Sequence, residues 1–295
     1  MLVREGAEIV FGYFVMAKYT PLVALLTKLL GRKLIIATGG VDSTYVPDID
    51  WGDMASPVRR RLFALVMRVA DSVLAFSNSS KNEILHFGNP KRARTAYPAI
   101  DSTLFVPPGG TRPARALTVC YSISRGESVQ KGIRDFVDAA RLVPGVEFVV
   151  QGKLQDDVRD DLILRAAPNV RFTDRMLDRN EYVTLLQSAS IYVQASAHEG
   201  FGVALAEAMA CGCVPVVSNR YALPETVGDT GYLVSFGDPV ALASAVREAL
   251  AHPEKGLAAR QRVIDNFSVA QRARILQEEC EFVLKRTLNA SDIDS

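Results

Sequence analysis

Along the chain, short apolar, β-branched runs alternate with amphipathic stretches of helical length, a pattern that predicts parallel strands covered by helices on both faces. In the first part, strands are expected at Glu8–Phe14, Lys33–Ala37 and Ser72–Phe76, with a weaker one at Thr95–Tyr97. Helices are expected near Lys18–Leu30, Pro57–Ala70 and Ser79–Phe87, the last capped by Asn78 or Ser79. From Phe105 to Arg115 the periodicity gives way to VPPGGTRPAR, whose prolines and glycines break helix and ladder alike, so this stretch reads as a linker. A second series follows, with strands at Leu117–Ser122, Val146–Val150, Val170–Phe172, Ile191–Gln194, Cys213–Val217 and Tyr232–Val234. Its helices are expected near Lys131–Leu142, Asp156–Ala166, Arg179–Ala189, Gly202–Cys211, Pro239–Ala251 and Lys255–Asn266. A long amphipathic helix, Val269–Leu284, and a polar tail, LNASDIDS, end the chain.

These elements divide the chain into a partial amino-terminal Rossmann-like domain (1–107), a second domain (108–268), a carboxyl-terminal helix (269–287) and a tail (288–295). The second domain has enough strands for a complete doubly wound α/β sheet. The first has about half a sheet. In such sheets a ligand crevice lies beyond the carboxyl ends of the strands, where the direction of crossover reverses.

An apolar fraction of 48% over 295 residues is ample for two cores and excludes intrinsic disorder as the main state. Lysine plus arginine number 34 against 33 acidic residues, so there is no global basic field for a polyanion, and nucleic acid is not expected as a partner. Residues 1–107 carry 13 basic and 9 acidic side chains, and 108–295 carry 21 and 24, which leaves the first part a weak attraction at most to anionic lipid. The four cysteines, Cys120, Cys211, Cys213 and Cys280, form no CxxC pair and have no histidine at ligand spacing. Neither zinc nor a disulfide framework is indicated, and a reducing cytoplasm fits. The apolar stretch Ile9–Leu30 is broken by Lys18, Pro21 and Lys28, which argues against a membrane span; Glu5 and Glu8 ahead of it argue against a signal peptide. Arg59, Arg60 and Arg61 read first as a solvated helix face and second, with Trp51 nearby, as a peripheral membrane contact.

The chemistry concentrates in HEGFGVALAEAMACGCVPVV, residues 198–217, which follows one strand and leads through a helix into another. Glu199 falls in the strand-to-helix turn and Glu207 about one and a half turns into the helix, roughly 7–8 Å along its axis, so both can look into one crevice. Gly200, Phe201 and Gly202 form the turn, where glycine lets a ligand approach the backbone and first-turn N–H groups can bind oxygen anions. The alternative is a solvated Glu207 and a Glu199 favoured only by the helix dipole. Against it, Glu207 sits among apolar residues on every side of VALAEAMA, where a lone carboxylate is costly. His198 has no nucleophile pattern beside it and reads as a loop-shaping residue.

This segment resembles the retaining GT-B glycosyltransferases of the family 4, or group 1, type, which carry E-x7-E followed by E-A-M-A-x-G and a buried strand. The resemblance implies that Glu199, Gly200, Phe201 and Gly202 hold the transferred sugar. It implies further that Val203 and Ala204 offer amides to the diphosphate and that Glu207 binds the ribose. ISRGESVQKG resembles the segment whose arginine and lysine neutralise the donor diphosphate, here Arg125 and Lys131, with a spacing one residue longer than usual. VRFTDRMLDRN resembles the base-binding loop, which would place Arg175 and Met176 against the base, and Gly152 matches a glycine at a strand end. Over nearly the whole second domain these matches fall in the expected order.

The first domain is similar over ADSVLAFSNSSKNEI and the segment to AIDSTLFVP, and IIATGGVDS falls where many members carry a histidine near the sugar. Gly39 stands there instead. Asp42 keeps the acidic position and reads equally as a turn residue. The family's first strands and the glycine-rich loop after its first strand have no counterpart, which would leave the strand at Glu8 as an open apolar edge. A truncated reading frame, a separately encoded half, or an oligomer covering the edge would each account for it. The resemblance implies transfer of a hexose-type sugar from a nucleotide-diphosphate sugar to a glycan or lipid-linked hydroxyl, with no metal or other cofactor. The alternative is a non-catalytic nucleotide-sugar binding subunit. A phosphorylase would need a pyridoxal-phosphate lysine site, which the sequence does not display.

Overall fold

The computed structural model describes residues 6–286. The tail from 288 lies outside them. Two compact units form: Met1–Ala99 together with Val269–Ser295, and Ile100–Ser268.

In the first unit, strands β1 (Ile9–Tyr13), β2 (Lys33–Thr38), β3 (Ser72–Ala75) and β4 (Ala93–Thr95) alternate with helices α1 (Thr20–Leu29), α2 (Pro57–Val69) and α3 (Asn78–Phe87). The strands pair in parallel in the order β1-β2-β3-β4, so every crossover steps the same way and this sheet has no reversal point. The period-two pleat sorts its core. Leu34, Ile36, Val73 and Ala75 pack with Phe63, Val66, Met67 and Ile84 from α2 and α3. Ile35, Ala37 and Leu74 face the other way, onto Ile275, Leu276 and Val283 of the terminal helix. That contact corrects the reading of 269–287 as a separate element: the buried second face of this sheet requires a cover, and the chain returns to supply it.

A buried carboxylate fastens the return. Glu279 accepts from Arg92 through Nε at 2.9 Å and Nη2 at 2.7 Å, from Ser72 Oγ at 2.6 Å and from Arg94 Nη1 at 3.2 Å. Burial alone would raise its pKa, but the bonds from Arg92, Ser72 and Arg94 outweigh burial and hold it below the ordinary range. Glu279→Gln is expected to destabilise the chain by roughly 2 kcal/mol, less than a fully buried pair because both arginines reach solvent. A folded-state pKa held low gives stability that is present at neutral pH and is lost as pH falls through that lowered value. Urea titrations of both chains at pH 7 and at low pH check this: the difference between them should shrink on acidification.

Ser77, rather than Asn78 or Ser79, caps α3, because its hydroxyl accepts from the Ser80 N–H at 2.9 Å. The basic run is engaged: Arg59 pairs with Asp53, and Arg60 donates to the Met54 carbonyl while lying over the Phe87 ring at 5.3 Å. The exposed apolar face lies elsewhere. Helix α1 buries Ala24 and Thr27 and turns Leu22, Leu25 and Leu29 outward, 60%, 57% and 73% exposed. Among the described residues no helix is long and apolar enough to cross a membrane.

The second unit contains β5 (Arg115–Ile123), α4 (Arg125–Gln130), α5 (Ile133–Ala140), β6 (Glu147–Leu154), α6 (Asp156–Arg165), β7 (Val170–Phe172) and α7 (Arg179–Gln187). It continues through β8 (Ile191–Gln194), α8 (Val203–Ala210), β9 (Val214–Ser218), α9 (Leu223–Val227), β10 (Tyr232–Val234), α10 (Pro239–Ala251) and α11 (Lys255–Asn266). The terminal helix of the first unit, Val269–Leu284, is α12. The parallel order β10-β9-β8-β5-β6-β7 reverses its crossover direction between β8 and β5, which places the ligand crevice beyond Ile123 and Gln194. The helix expected near Lys131–Leu142 is α5, and a further helix not expected there, α4, precedes it, the two separated by Lys131 and Gly132.

Candidate active site

Two chain segments meet at that reversal point. Ser124 opens α4 with a reciprocal capping box to Glu127, and the helix delivers Gln130 and Lys131 to the loop after β8. Gln130 Nε2 donates to the His198 carbonyl at 2.7 Å, and the Ala197 N–H donates to the Gln130 carbonyl at 2.7 Å. Gly132 then turns the chain in the left-handed conformation, φ 64°, against the Ala195 carbonyl. A Cβ there would lie 2.1 Å from that oxygen, so only glycine allows the approach.

The clamp puts Lys131 Nζ 2.7 Å from Glu199 Oε1. Burial pulls the Lys131 pKa down, but the neighbouring Glu199 charge outweighs it and the ammonium is held above its ordinary value. Lys131 is the carboxyl-terminal cap of α4 and stands one residue before Gly132, the amino-terminal cap of α5, so it sits between two helix ends and Glu199 is the charge that balances it. Glu199 Oε1 also accepts from Gln194 Nε2 and from Ser196 Oγ, both at 2.8 Å.

Beyond the turn, Gly202 at φ 91° opens α8, and the first intrahelical donor is Ala206, to the Gly202 carbonyl. The amides of Val203, Ala204 and Leu205 therefore have no acceptor within the helix. Phe201 is buried, edge-on to Phe267 with centroids 4.9 Å apart, so its side chain packs beneath the turn. His198 is buried against Tyr221, in keeping with loop shaping. Glu207 is partly buried and accepts from Tyr182 Oη at 2.6 Å. Burial raises the Glu207 pKa, against the lowering effect of that bond and of Arg179.

Arg125 is the first residue of α4; its guanidinium donates to the Asp157 carbonyl at 2.9 Å and its N–H to the Asp157 carboxylate at 3.0 Å. Arg175 is exposed and forked onto Glu181 at 2.8 and 3.0 Å, and Met176 is exposed beside it. The Arg175 carbonyl accepts from the buried Gln151, which fixes the loop. Asp42 belongs to the first unit, where its carboxylate accepts from the Val15 N–H at 2.6 Å, the Gly40 N–H at 3.2 Å and Thr38, with burial raising its pKa. Those bonds tie the loop after β2 to the segment that follows β1. Gly152, φ 148°, would drive a Cβ to 2.2 Å from the Cys120 carbonyl, so a side chain would intrude as expected. Gln194, Ser196 and Gln130 were not singled out from the sequence. Their signal is a polar side chain at the end of a buried strand or helix, and the S-x-x-E spacing of Ser124 and Glu127 marks the start of α4.

A complete doubly wound parallel sheet, with a lysine–glutamate pair at its reversal point and a glycine-led helix beside it, makes the second unit an α/β domain of the doubly wound class. The sequence profile described as Glycosyl transferases group 1 matches residues 118–252, a segment that lies within the second unit. The chain is 29% identical over 269 residues to the N-acetyl-alpha-D-glucosaminyl L-malate synthase of Bacillus anthracis, covering 82% of this chain and 66% of that protein. To the alpha-maltose-1-phosphate synthase of Mycolicibacterium smegmatis it is 28% identical over 239 residues, covering 69% of this chain and 61% of that protein. The chain thus spans somewhat less than two thirds of the length of these relatives. Among solved structures it is similar to a sucrose-phosphate synthase of Thermosynechococcus elongatus, with TM-score 0.79 and 19% identity over 96% of this chain and 76% of that one. Anabaena HepE in complex with UDP and glucose gives TM-score 0.77 and 19% identity, over 93% and 77%.

Proposed function

We propose that this protein transfers a hexose-type sugar, with retention, from a nucleotide-diphosphate sugar to a hydroxyl of a glycan or lipid-linked acceptor. The observation that carries this reading is the Lys131–Glu199 pair at the reversal point of the second sheet. In such a transfer, negative charge grows on the departing diphosphate while the anomeric carbon turns cationic. Lys131 and the first-turn amides of α8 would stabilise the former without a metal, and Glu199 would orient the sugar. Glu207 would take the ribose hydroxyls. Arg125 and the Arg175–Met176 loop would act at the diphosphate and the base only after Arg125 leaves Asp157 and through backbone groups of the loop, respectively.

Glu207→Ala should weaken nucleoside diphosphate binding by roughly 10- to 100-fold, the value of hydrogen bonds to a charged acceptor. Because burial raises the Glu207 pKa, affinity should begin to fall on acidification above the ordinary carboxylate range. Calorimetric titration with UDP, GDP and ADP at pH 7.5 and 5 measures both; an unchanged dissociation constant in the variant removes Glu207 from the site. Incubation with labelled nucleotide hexoses and hydroxyl acceptors tests transfer itself.

One observation favours the second reading, a nucleotide-sugar binding subunit. Among the described residues no strand pairs with the outer edge of β1, and Leu22, Leu25 and Leu29 of α1 are exposed. A second chain or another copy covering that edge would show as a larger particle in sedimentation, together with donor binding without transfer or hydrolysis.

A further inference from the structure

Strand β8 reads Ile-Tyr-Val-Gln and is buried throughout, yet every second residue from Tyr192 onward is polar. Tyr192, Gln194 and Ser196 are 0%, 4% and 0% exposed. They form a chain of bonds with one direction. Tyr192 Oη donates to Gln194 Oε1 at 3.2 Å, which turns the amide so that Nε2 faces onward. Nε2 donates to Ser196 Oγ and to Glu199 Oε1, both at 2.8 Å. Ser196 Oγ, having accepted from the amide, donates its own proton to the same Glu199 oxygen at 2.8 Å. The opposite amide orientation would set carbonyl against carboxylate, so the network has a single consistent proton arrangement. Burial keeps the Tyr192 phenol protonated, and therefore a donor, well beyond neutral pH.

A buried strand gains nothing in stability from such a chain that apolar side chains of the same volume would not supply more simply. Its terminus explains it. With Lys131 included, three donors converge on Oε1 of Glu199, while Oε2 takes none of these bonds. Resting on the function proposed above, we propose that Gln194 and Ser196 are positioning residues for the donor sugar. They lock Glu199 in one rotamer, with Oε1 saturated by the protein and Oε2 left to accept from the hydroxyls of the transferred hexose, and Tyr192 holds the amide of Gln194 in register. Both residues bond to Glu199 and neither bonds to Glu207, so their effect should fall on the sugar alone.

The test compares the dissociation constant of each nucleotide sugar with that of its nucleoside diphosphate by calorimetry, using UDP-glucose with UDP, GDP-mannose with GDP and ADP-glucose with ADP. For the pair that wild type binds, Ser196→Ala should weaken the nucleotide sugar by roughly 5- to 10-fold, the scale of one hydrogen bond to a charged group, and leave the diphosphate within about twofold. Ser196→Thr, which keeps the hydroxyl, should restore the wild-type ratio, and Gln194→Leu should repeat the loss. In Glu199→Ala the sugar contribution is already gone, so adding Ser196→Ala should cost nothing further, whereas a structural role would add. Equal weakening of sugar nucleotide and diphosphate, additivity in the double variant, or no change in Ser196→Ala with Gln194→Leu folded and unaltered would each overturn the positioning role while leaving the donor site standing. Wild type that binds none of the diphosphates would overturn the donor site itself, and the positioning role with it.

Discussion

Lys131→Ala is expected to lower the rate of sugar transfer by about 10²–10³-fold, the loss typical when one preorganised donor to a developing oxyanion is removed. The side chain is partly buried, and its ammonium stays charged because the adjacent Glu199 outweighs the cost of burial. Under the proposed mechanism that charge acts most on the departing diphosphate, so the defect should fall more on kcat than on the KM of the donor. Two contrasts make the expectation specific. Lys131→Arg keeps the charge but exchanges a compact ammonium for a planar fork, and should recover part of the rate only. Lys131→Met keeps the stem without the charge and should behave like alanine. Steady-state kinetics of transfer, with donor and acceptor varied separately, reads the split; equal kcat in wild type and Lys131→Met would mean that the leaving group is stabilised elsewhere.

The same lysine shows what sequence can and cannot disclose. The alternation of strand and helix was legible because buried parallel strands are continuous apolar runs, and IYVQ and VPVVS are found where their hydrophobicity places them. The helix Arg125–Gln130 was not, because RGESVQ has no apolar stripe and is held at its start by a capping box. Missing it hid the carboxyl end that Lys131 caps, one residue ahead of the amino-terminal cap of α5. The resemblance singled out Lys131 and Glu199 separately, but not their bond, which joins positions 68 apart. Arg125 illustrates the converse. Its position in the motif gave no hint of Asp157, 32 residues on, whose carbonyl holds its guanidinium. Likewise nothing local in α12 announced Glu279 as the anchor of Arg92, 187 positions earlier, so the terminal helix read as a separate piece. Periodicity reports which face of an element is buried; it carries no record of the side chain it meets.

Gly132→Ala should be the most damaging small substitution in the second unit. A residue with a Cβ in the left-handed region costs roughly 1–2 kcal/mol by itself. Here the added carbon would also lie 2.1 Å from the Ala195 carbonyl oxygen and 2.8 Å from the Ala195 Cβ. Neither neighbour is a flexible side-chain tip, so the backbone must part. The segments forced apart are the two that hold the site, since Gln130 bonds to the 197–198 loop on one side of Gly132 and Ile133 starts α5 on the other. Lys131 would be drawn from Glu199, and a shift of about 1 Å at a reacting centre can cost on the order of 10²-fold in rate. The expected result is a lower melting temperature together with diphosphate affinity and transfer both reduced by at least about that factor. Gly126→Ala supplies the control: its Cβ would meet nothing within 4 Å, so the gain in helix propensity of up to about 1 kcal/mol should leave stability equal or improved and binding unchanged. Thermal unfolding and calorimetry on the two alanine variants decide the matter. Should Gly132→Ala bind diphosphate as wild type does, the close approach of α4 to the loop after β8 is not what holds Lys131 in place.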